Sequence, residues 1–185
     1  KILESQRQGI AALLKNSGIV LEKGRAVIKS KGVVEVVSKD DNKKELYYDK
    51  LIIATGTKPL NVADFPFDHH HILSSNDILQ MDNIPESIVI VGGGVIGCEF
   101  AFIFSALGSK VTVVEAMSRL LPLPSVDQDC SKLLLREMKK RKIDVFCDTI
   151  VKSSDIVKSS DIKDDQVSIH LEISPFTDNP KPKKL

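Results

Sequence analysis

The chain has little cysteine, little net charge and no long apolar run, and each shortage excludes a class of protein. Its three cysteines, Cys98, Cys130 and Cys147, are far apart and form no CxxC pair, so neither a disulfide framework nor a metal site is expected. The formal net charge is +1, and no basic face stands out, which argues against nucleic acid as a partner. No apolar run approaches the roughly 20 residues that a membrane-spanning helix needs, and no signal peptide opens the sequence. These features predict a soluble, cytoplasmic protein.

The sequence does contain a glycine-rich unit, IVIVGGGVIGCEFA, which is followed by GSKVTVVE. The apolar, β-branched run at residues 88–91 predicts a parallel strand that is buried on both faces. Gly92, Gly94 and Gly97 then occupy the positions of GxGxxG, which serve a tight turn, close approach of the backbone to a pyrophosphate, and close packing of a helix. A side chain at any of these three positions is expected to collide, whereas Gly93 is expected to add only conformational freedom.

Glu115 ends the next predicted strand, at the spacing of the acid that binds the adenosine ribose 2′-hydroxyl in dinucleotide sites. This acid favours NAD over NADP, because a 2′-phosphate would face a like charge. A site for NADP is also expected to offer a nearby arginine, and Ala116 and Pro122 stand there instead. The unit therefore predicts NAD binding.

The residues before the glycine motif predict a helix and a small sheet. Apolar residues at helical spacing predict a helix over residues 2–15. Alternating β-branched and polar residues then predict an antiparallel sheet that returns through a strand at Leu51 to Ala54. The proline-containing stretch that follows reads as a connector. Its adjacent His69, His70 and His71 are expected to be solvated, because three consecutive residues seldom direct their rings at one metal.

The residues after the motif predict one more helix and further strands. Asp127 is expected to cap a helix that runs to about Lys142, and strands are predicted at residues 144–146 and in VSIHLEIS. The hexapeptide IVKSSD occurs twice in succession from Ile150 and is interpreted as strand, turn and strand. Four residues are expected to face the core: Cys98, Leu133, Leu134 and Met138.

The order of these elements resembles the flavoprotein disulfide reductases, also called class I pyridine nucleotide-disulfide oxidoreductases. The segments that carry the resemblance are KGRA (Lys23 to Ala26) and IIATGTKP (Ile52 to Pro59), while SSNDIL and IPES favour the dihydrolipoamide dehydrogenase branch. The resemblance implies an α/β fold, with a Rossmann-like NAD-binding domain that has a parallel sheet, helices on both faces and a β-meander. The implied division is a partial FAD-binding domain (1–62), a connector (63–82), the NAD-binding domain (83–173) and a tail returning toward the FAD domain (174–185).

The resemblance also implies roles for individual residues. Glu99 would lie near the nicotinamide and flavin as the one candidate for catalysis, although a solvated helix glutamate is the alternative interpretation. Lys142 stands where the family commonly has a glycine, which leaves the geometry of that turn open. The implied NAD-binding residues are Gly92, Gly93, Gly94, Ile96, Gly97, Glu115 and Val151. The implied FAD-binding residues are Arg25, Ala26, Thr55 and Gly56.

The implied parent is an FAD- and NAD-dependent oxidoreductase that reoxidises dihydrolipoamide on the lipoyl-bearing domain of a 2-oxo acid dehydrogenase complex. It would be a homodimer with a role in cell redox homeostasis, located in the cytoplasm, or in the mitochondrial matrix of a eukaryote. The family's N-terminal glycine motif, CxxxxC pair, GD motif and C-terminal His/Glu pair do not occur in the sequence. The chain is therefore expected to be an inactive central fragment. The alternatives are an NADH oxidase or ferredoxin-type reductase of the same architecture, or a non-catalytic NAD-binding module.

Overall fold

The computed structural model describes residues 2–157 and 166–176. The chain divides into two compact units, Lys1–Thr57 and Lys58–Leu185. This division falls inside residues 1–62, the range predicted for the first domain, and the assignment of the two units to FAD and NAD stays a prediction. No helix in the described part of the chain is long and apolar enough to cross a membrane.

The first unit contains one helix and one antiparallel sheet. Helix α1 spans Ile2–Asn16, which confirms the predicted first helix, and none of its residues is buried. The sheet has the order β1-β2-β3 and consists of β1 (Arg25–Ser30), β2 (Val33–Val37) and β3 (Lys43–Tyr47). The two buried apolar side chains of this sheet, Val34 and Val36, share one face of β2.

The predicted strand at Leu51 to Ala54 is wrong. These residues form no strand, and Ile52 and Ile53 are 88% and 68% exposed. A β-branched run favours a strand only where a neighbouring strand and a packed face are available. None of the described strands pairs with this segment, so its composition alone does not make it a strand.

The second unit is built on a parallel sheet of order β4-β5-β6. The elements between residues 87 and 146 confirm the predicted alternation of strand and helix, including the strand at residues 144–146, whereas the short helix at Ser75–Ile78 lies in the range predicted as a connector. In chain order the elements are α2 (Ser75–Ile78), β4 (Ser87–Val91), α3 (Val95–Ala106), β5 (Lys110–Val114), α4 (Gln128–Lys140) and β6 (Asp144–Phe146). An antiparallel pair follows, made of β7 (Thr149–Val157) and β8 (Gln166–Ile173).

Both long helices of this unit contribute to one core cluster, which combines Cys98, Ala101 and Phe104 of α3 with Met138 of α4. The same cluster contains Val111 and Val113, which lie on one face of β5. The α/β fold is thus confirmed, but the expected helices on both faces are seen on one face in the described residues. The reason is topological, because two right-handed crossovers in the same direction place both helices on the same side of a sheet.

Strand β4 is not buried on both faces, contrary to the expectation from its sequence. Ile88 and Ile90 pack against the core cluster, whereas Val89 and Val91 are 42% and 50% exposed. Strand β4 pairs with β5 and ends the order of its sheet. In the described residues it is therefore an edge strand with one covered face.

Helix α4 begins as predicted, because the Asp127 side chain accepts a hydrogen bond from the backbone N–H of Asp129 at 2.8 Å. Its inward face differs from the prediction, because Leu135 packs against the core in place of Leu133. Met138 is fully buried and Leu134 is half-buried, whereas Leu133 is 50% exposed. The buried positions follow the helical spacing that begins at Ser131, which places Leu133 on the solvent side.

The helix ends in a Schellman motif, in which the Ile143 N–H donates to Met138 O and the Lys142 N–H donates to Lys139 O. Lys142 itself has φ +59°, the left-handed conformation that favours glycine. The turn therefore keeps the geometry that a glycine would favour, although a lysine occupies it.

Strand β7 runs without a turn from the first IVKSSD copy into the second, as far as Val157. The predicted turn between the copies is therefore wrong. The rest of the second copy lies outside the described residues, whereas β8 confirms the strand predicted in VSIHLEIS.

Candidate functional site

The structure gives a different reason for glycine at each position of the GxGxxG motif. A Cβ at Gly92 would meet no atom within 4 Å, so the expected collision is absent there, but Gly92 has φ +112° and any side chain would strain the backbone. A Cβ at Gly97 would lie 2.0 Å from the carbonyl oxygen of Gly92, which confirms the predicted collision at that position. A Cβ at Gly94 would meet no atom within 4 Å, so the collision expected there does not occur within this chain.

Gly93 does more than add freedom, contrary to the expectation. Its backbone N–H donates to Glu115 Oε2 at 2.6 Å. A Cβ at this position would lie 2.7 Å from Leu120 Cδ2 and 3.1 Å from Glu115 Oε2. The absence of a side chain at Gly93 therefore allows the glycine turn to contact the residues that follow β5.

Glu115 follows β5 directly and is 6% exposed. Its Oε2 accepts from the Gly93 N–H, and its Oε1 accepts from the Met117 N–H at 2.7 Å. Each carboxylate oxygen thus holds one backbone N–H and keeps a lone pair for a further donor such as a hydroxyl. The same carboxylate can therefore fix the glycine turn and bind a ligand.

The first turn of α3 has no side-chain cap. Its N-cap is Gly94, with φ −74° and ψ −174°, and glycine has no side chain that could accept from the N–H groups of the first turn. Unpaired N–H groups and the positive end of the helix dipole attract anions. Because the space that a Cβ at Gly94 would occupy is also free, a phosphate group can approach this helix end.

A cavity of about 320 Å³ lies at the carboxyl ends of β4 and β5. Gly92, Glu115 and Val151 all line it, so three of the predicted NAD-binding residues come together from β4, β5 and β7. Val151 is 6% exposed and supplies an apolar surface. The other apolar lining residues are Val62, Phe65, Val91, Val114, Ala116 and Ile150.

The remaining predicted residues do not line this cavity. Ile96 is 58% exposed, and Glu99 is also exposed on α3. In the first unit, the four predicted flavin-binding residues are all exposed: Arg25, Ala26, Thr55 and Gly56. Their roles stay predictions, as do the ligand roles of the residues around the cavity.

Arg119 is the residue that the sequence interpretation missed. It lies in the loop between β5 and α4, where its Nη1 donates to Leu121 O at 2.9 Å and to Ser131 Oγ at 2.6 Å. Its Nη2 donates to Leu123 O and Val126 O, both at 3.1 Å. An arginine therefore does follow the acid, but its guanidinium is bound to the protein's own oxygens. Its position as the one arginine between the acid and the Asp127 cap could have indicated it.

Cys98 is a buried core residue, as expected, and its Sγ lies 3.3 Å from the carbonyl oxygen of Gly93. Burial, together with the negative charge of Glu115, raises the pKa of the Cys98 thiol to about 11. A thiol of this kind is protonated and unreactive at neutral pH.

Two residues of the histidine triplet bind Asp68, whose carboxylate accepts backbone N–H bonds at 2.8–2.9 Å from His70, His71 and Ile72. Partial burial alone would raise the pKa of Asp68, but these backbone donors outweigh it and lower the pKa to about 2. His69 pairs with Asp77, at 3.0 Å between Nδ1 and Oδ1. Among the described residues, no group of three or more His, Cys, Asp or Glu side chains is placed to hold a metal ion.

The parallel β-α-β unit, its glycine turn, the buried acid and the adjoining cavity together define an α/β fold of the Rossmann type. Residues 1–172 match the family described as pyridine nucleotide-disulphide oxidoreductase. The chain belongs to this family.

Sequence relatives carry a more specific description. The chain is 39% identical over 139 residues to a dihydrolipoyl dehydrogenase of Bacillus subtilis, which covers 75% of this chain and 30% of the relative. It is 34% identical over 162 residues to a dihydrolipoyl dehydrogenase of Buchnera aphidicola, which covers 88% of this chain and 33% of the relative. The chain thus spans about a third of the length of these curated relatives.

Solved structures share the fold. LpdA from Mycobacterium tuberculosis aligns with 91% of this chain and 37% of its own, with a TM-score of 0.74 and 24% identity. A water-forming NADH oxidase from Lactobacillus brevis aligns with 80% of this chain and 34% of its own, with a TM-score of 0.57 and 18% identity.

Proposed function

We propose that this chain is the NAD-binding central portion of a dihydrolipoamide dehydrogenase. The observation that carries the proposal is the convergence of Gly92, Glu115 and Val151 on one cavity at the carboxyl ends of parallel strands, which is where α/β sheets bind ligands. The relatives named dihydrolipoyl dehydrogenase support the particular activity. Because the chain spans about a third of those relatives, the activity is proposed for the whole protein.

The residues present fit a dinucleotide. The uncapped N–H groups after Gly94 would hold the pyrophosphate, where a Cβ would occupy the free space. Glu115 would accept a hydrogen bond from the adenosine ribose with its spare lone pairs. Val151 would pack against the adenine, and Ile96 and Glu99 would lie toward the nicotinamide end. NAD, when bound, supplies the hydride acceptor, and the protein positions it.

The same residues would favour NAD over NADP. A 2′-phosphate would bring negative charge next to the buried carboxylate of Glu115, and like charges repel strongly where solvent does not screen them. Arg119 would not offset this repulsion, because its donors are already bound to four protein oxygens.

The other parts of the proposal rest on the family. Within the whole protein, FAD would be contacted by Arg25, Ala26, Thr55 and Gly56. That protein would be a cytoplasmic or mitochondrial homodimer. It would act on the lipoyl domain of a 2-oxo acid dehydrogenase complex. The chain alone would be inactive, because it contains no CxxxxC pair to react with a dithiol. Incubation with dihydrolipoamide, FAD and NAD should yield no NADH, and turnover at an enzymatic rate would contradict this.

An NADH oxidase is the second candidate, since one such enzyme shares the fold. The two candidates would use the same NAD site but different redox cysteines in the rest of the protein. Detection of a CxxxxC pair in the full-length coding sequence would favour the dihydrolipoamide dehydrogenase, and a single cysteine in its place would favour the oxidase.

The NAD site is tested by calorimetric titration of the chain with NADH and NADPH. The chain should bind NADH at least about tenfold more tightly, since a buried charge that pairs with a hydroxyl contributes about 1.5–3 kcal/mol. Glu115→Gln should bring the two affinities closer together, because a neutral amide does not repel the 2′-phosphate. The amide also cannot accept from Gly93 and Met117 with both of its terminal atoms, because only its oxygen is an acceptor. Glu86→Gln, at an exposed glutamate, is the matched control and should change nothing. Equal affinity for both nucleotides in the unaltered chain would contradict the assignment of Glu115.

A further inference from the structure

The loop between β5 and α4 is organised by one guanidinium. Arg119 donates to the carbonyl oxygens of three loop residues and to the hydroxyl of Ser131. Ser131 is 4% exposed and donates onward to Leu120 O at 2.7 Å. Arginine suits this position because its planar fork presents five donors in fixed directions.

One of the residues held in this way has an unfavourable backbone. Leu121 has φ +48°, a conformation that costs energy for a residue with a Cβ and persists only where the surroundings impose it. Its carbonyl accepts from Arg119, and its N–H donates to Gly93 O at 2.8 Å. The left-handed conformation therefore connects the loop to the glycine turn.

The connection continues to the acid of the site. Gly93 accepts from Leu121 through its oxygen and donates to Glu115 through its N–H. Leu120 packs so closely on Gly93 that a Cβ there would lie 2.7 Å from its Cδ2. An unbroken series of contacts thus leads from Arg119 through Leu121 and Gly93 to the carboxylate of Glu115.

We propose that Arg119 is a positioning residue of the dinucleotide site, which acts by holding Leu121 in its left-handed conformation and so fixes Gly93 and Glu115. The proposal rests on the NAD-binding function proposed above. Arg119 itself would contact no part of the nucleotide. Its effect would be to keep the glycine turn and the carboxylate in the geometry that binding needs.

The first test uses no nucleotide, so it does not depend on the proposed function. Amide exchange is followed by NMR at Gly93 and Leu121 in Arg119→Ala and Arg119→Lys. Exchange at both amides should become at least about tenfold faster in both variants, because one ammonium group cannot reach four separated acceptors. Arg136→Ala is the matched control, at an exposed arginine of α4, and should leave both amides protected. Unchanged exchange in both Arg119 variants would overturn the proposal.

The second test measures NADH affinity. Arg119→Ala and Arg119→Lys should each bind NADH about tenfold more weakly, a change of about 1.4 kcal/mol. In the Leu121→Gly background, Arg119→Ala should cost less affinity, because glycine adopts the left-handed conformation without being held there. Faster exchange with unchanged NADH affinity would reduce Arg119 to a structural role and overturn the proposal. If the unaltered chain binds no NADH, the proposed function fails. The exchange data would still test whether Arg119 stabilises the backbone at Leu121 and Gly93.

Discussion

Substitution by alanine at two glycines of the same motif should affect two different properties, stability at one and nucleotide binding at the other. Gly97→Ala places a Cβ 2.0 Å from Gly92 O and 3.3 Å from Ile90 Cγ2, whereas Gly94→Ala places it in free space. The first substitution should therefore damage the fold, and the second should damage nucleotide binding.

The magnitudes follow from these distances. A contact of 2.0 Å with backbone forces α3 to move away from β4, and overpacking of this kind costs about 2–4 kcal/mol. For a chain of this length that loss lowers the melting temperature by about 5–15 °C. At Gly94 the backbone angles suit alanine, so the stability should change by less than about 1 kcal/mol. The NADH affinity of Gly94→Ala should fall at least about tenfold, because the methyl group occupies the space through which the pyrophosphate would reach the helix end.

The assay combines thermal unfolding, followed by far-ultraviolet circular dichroism, with calorimetric titration of NADH. Gly9→Ala is the control substitution, since Gly9 lies in α1 and its Cβ would meet no atom within 4 Å. It should raise stability slightly and leave binding unchanged. The reasoning would be refuted if Gly94→Ala melted as early as Gly97→Ala, or if it bound NADH as tightly as the unaltered chain.

Three further predictions concern stability and reactivity. Lys142→Gly should raise the free energy of unfolding by about 0.5–1 kcal/mol in urea titrations, because it relieves the left-handed backbone, whereas Lys139→Gly within α4 should lower it by a similar amount. Asp68 has a folded-state pKa of about 2, below its unfolded value, so its stabilisation is present above pH about 4 and is lost as the pH falls toward 2. Asp68→Asn should remove on the order of 1 kcal/mol of that pH-dependent loss in acid unfolding, and equal losses in both proteins would contradict the prediction. A thiol reagent at pH 8 should label exposed Cys130 rapidly and label Cys98 only after denaturant is added; labelling of Cys98 in the folded chain would disprove this.

The parts that the sequence predicted correctly are those governed by local pattern. Periodicity predicted the first helix, the alternation from β4 to β6 and the Asp127 cap, because spacing and capping act within a few residues. The prediction of a strand at residues 51–54 was wrong because a strand needs a neighbouring strand, and the sequence of the segment does not show whether one is present. Exposure of Leu133 depended on the rotation of α4 about its axis, which the apolar pattern left open.

The site shows the same division. The glycine spacing and Glu115 were visible as a motif, and the structure brings Gly92, Glu115 and Val151 to one cavity. The requirement for glycine at position 93 was not visible, because it arises from Leu120 and from a carboxylate 22 residues away. Arg119 was missed for a similar reason, since three of its four partners are carbonyl oxygens that any sequence would have.

The exposed side of β4 bears on how the chain behaves in concentrated solution. Unpaired N–H and C=O groups along an apolar edge strand offer a template on which another chain can add a strand. Val89 and Val91 are about half exposed on that strand, and β4 pairs only with β5 among the described strands, so this edge is expected to favour the addition of a strand. A charged residue at the solvent-facing position 89 would discourage this addition, while Ile88 and Ile90 would continue to hold the strand against the core.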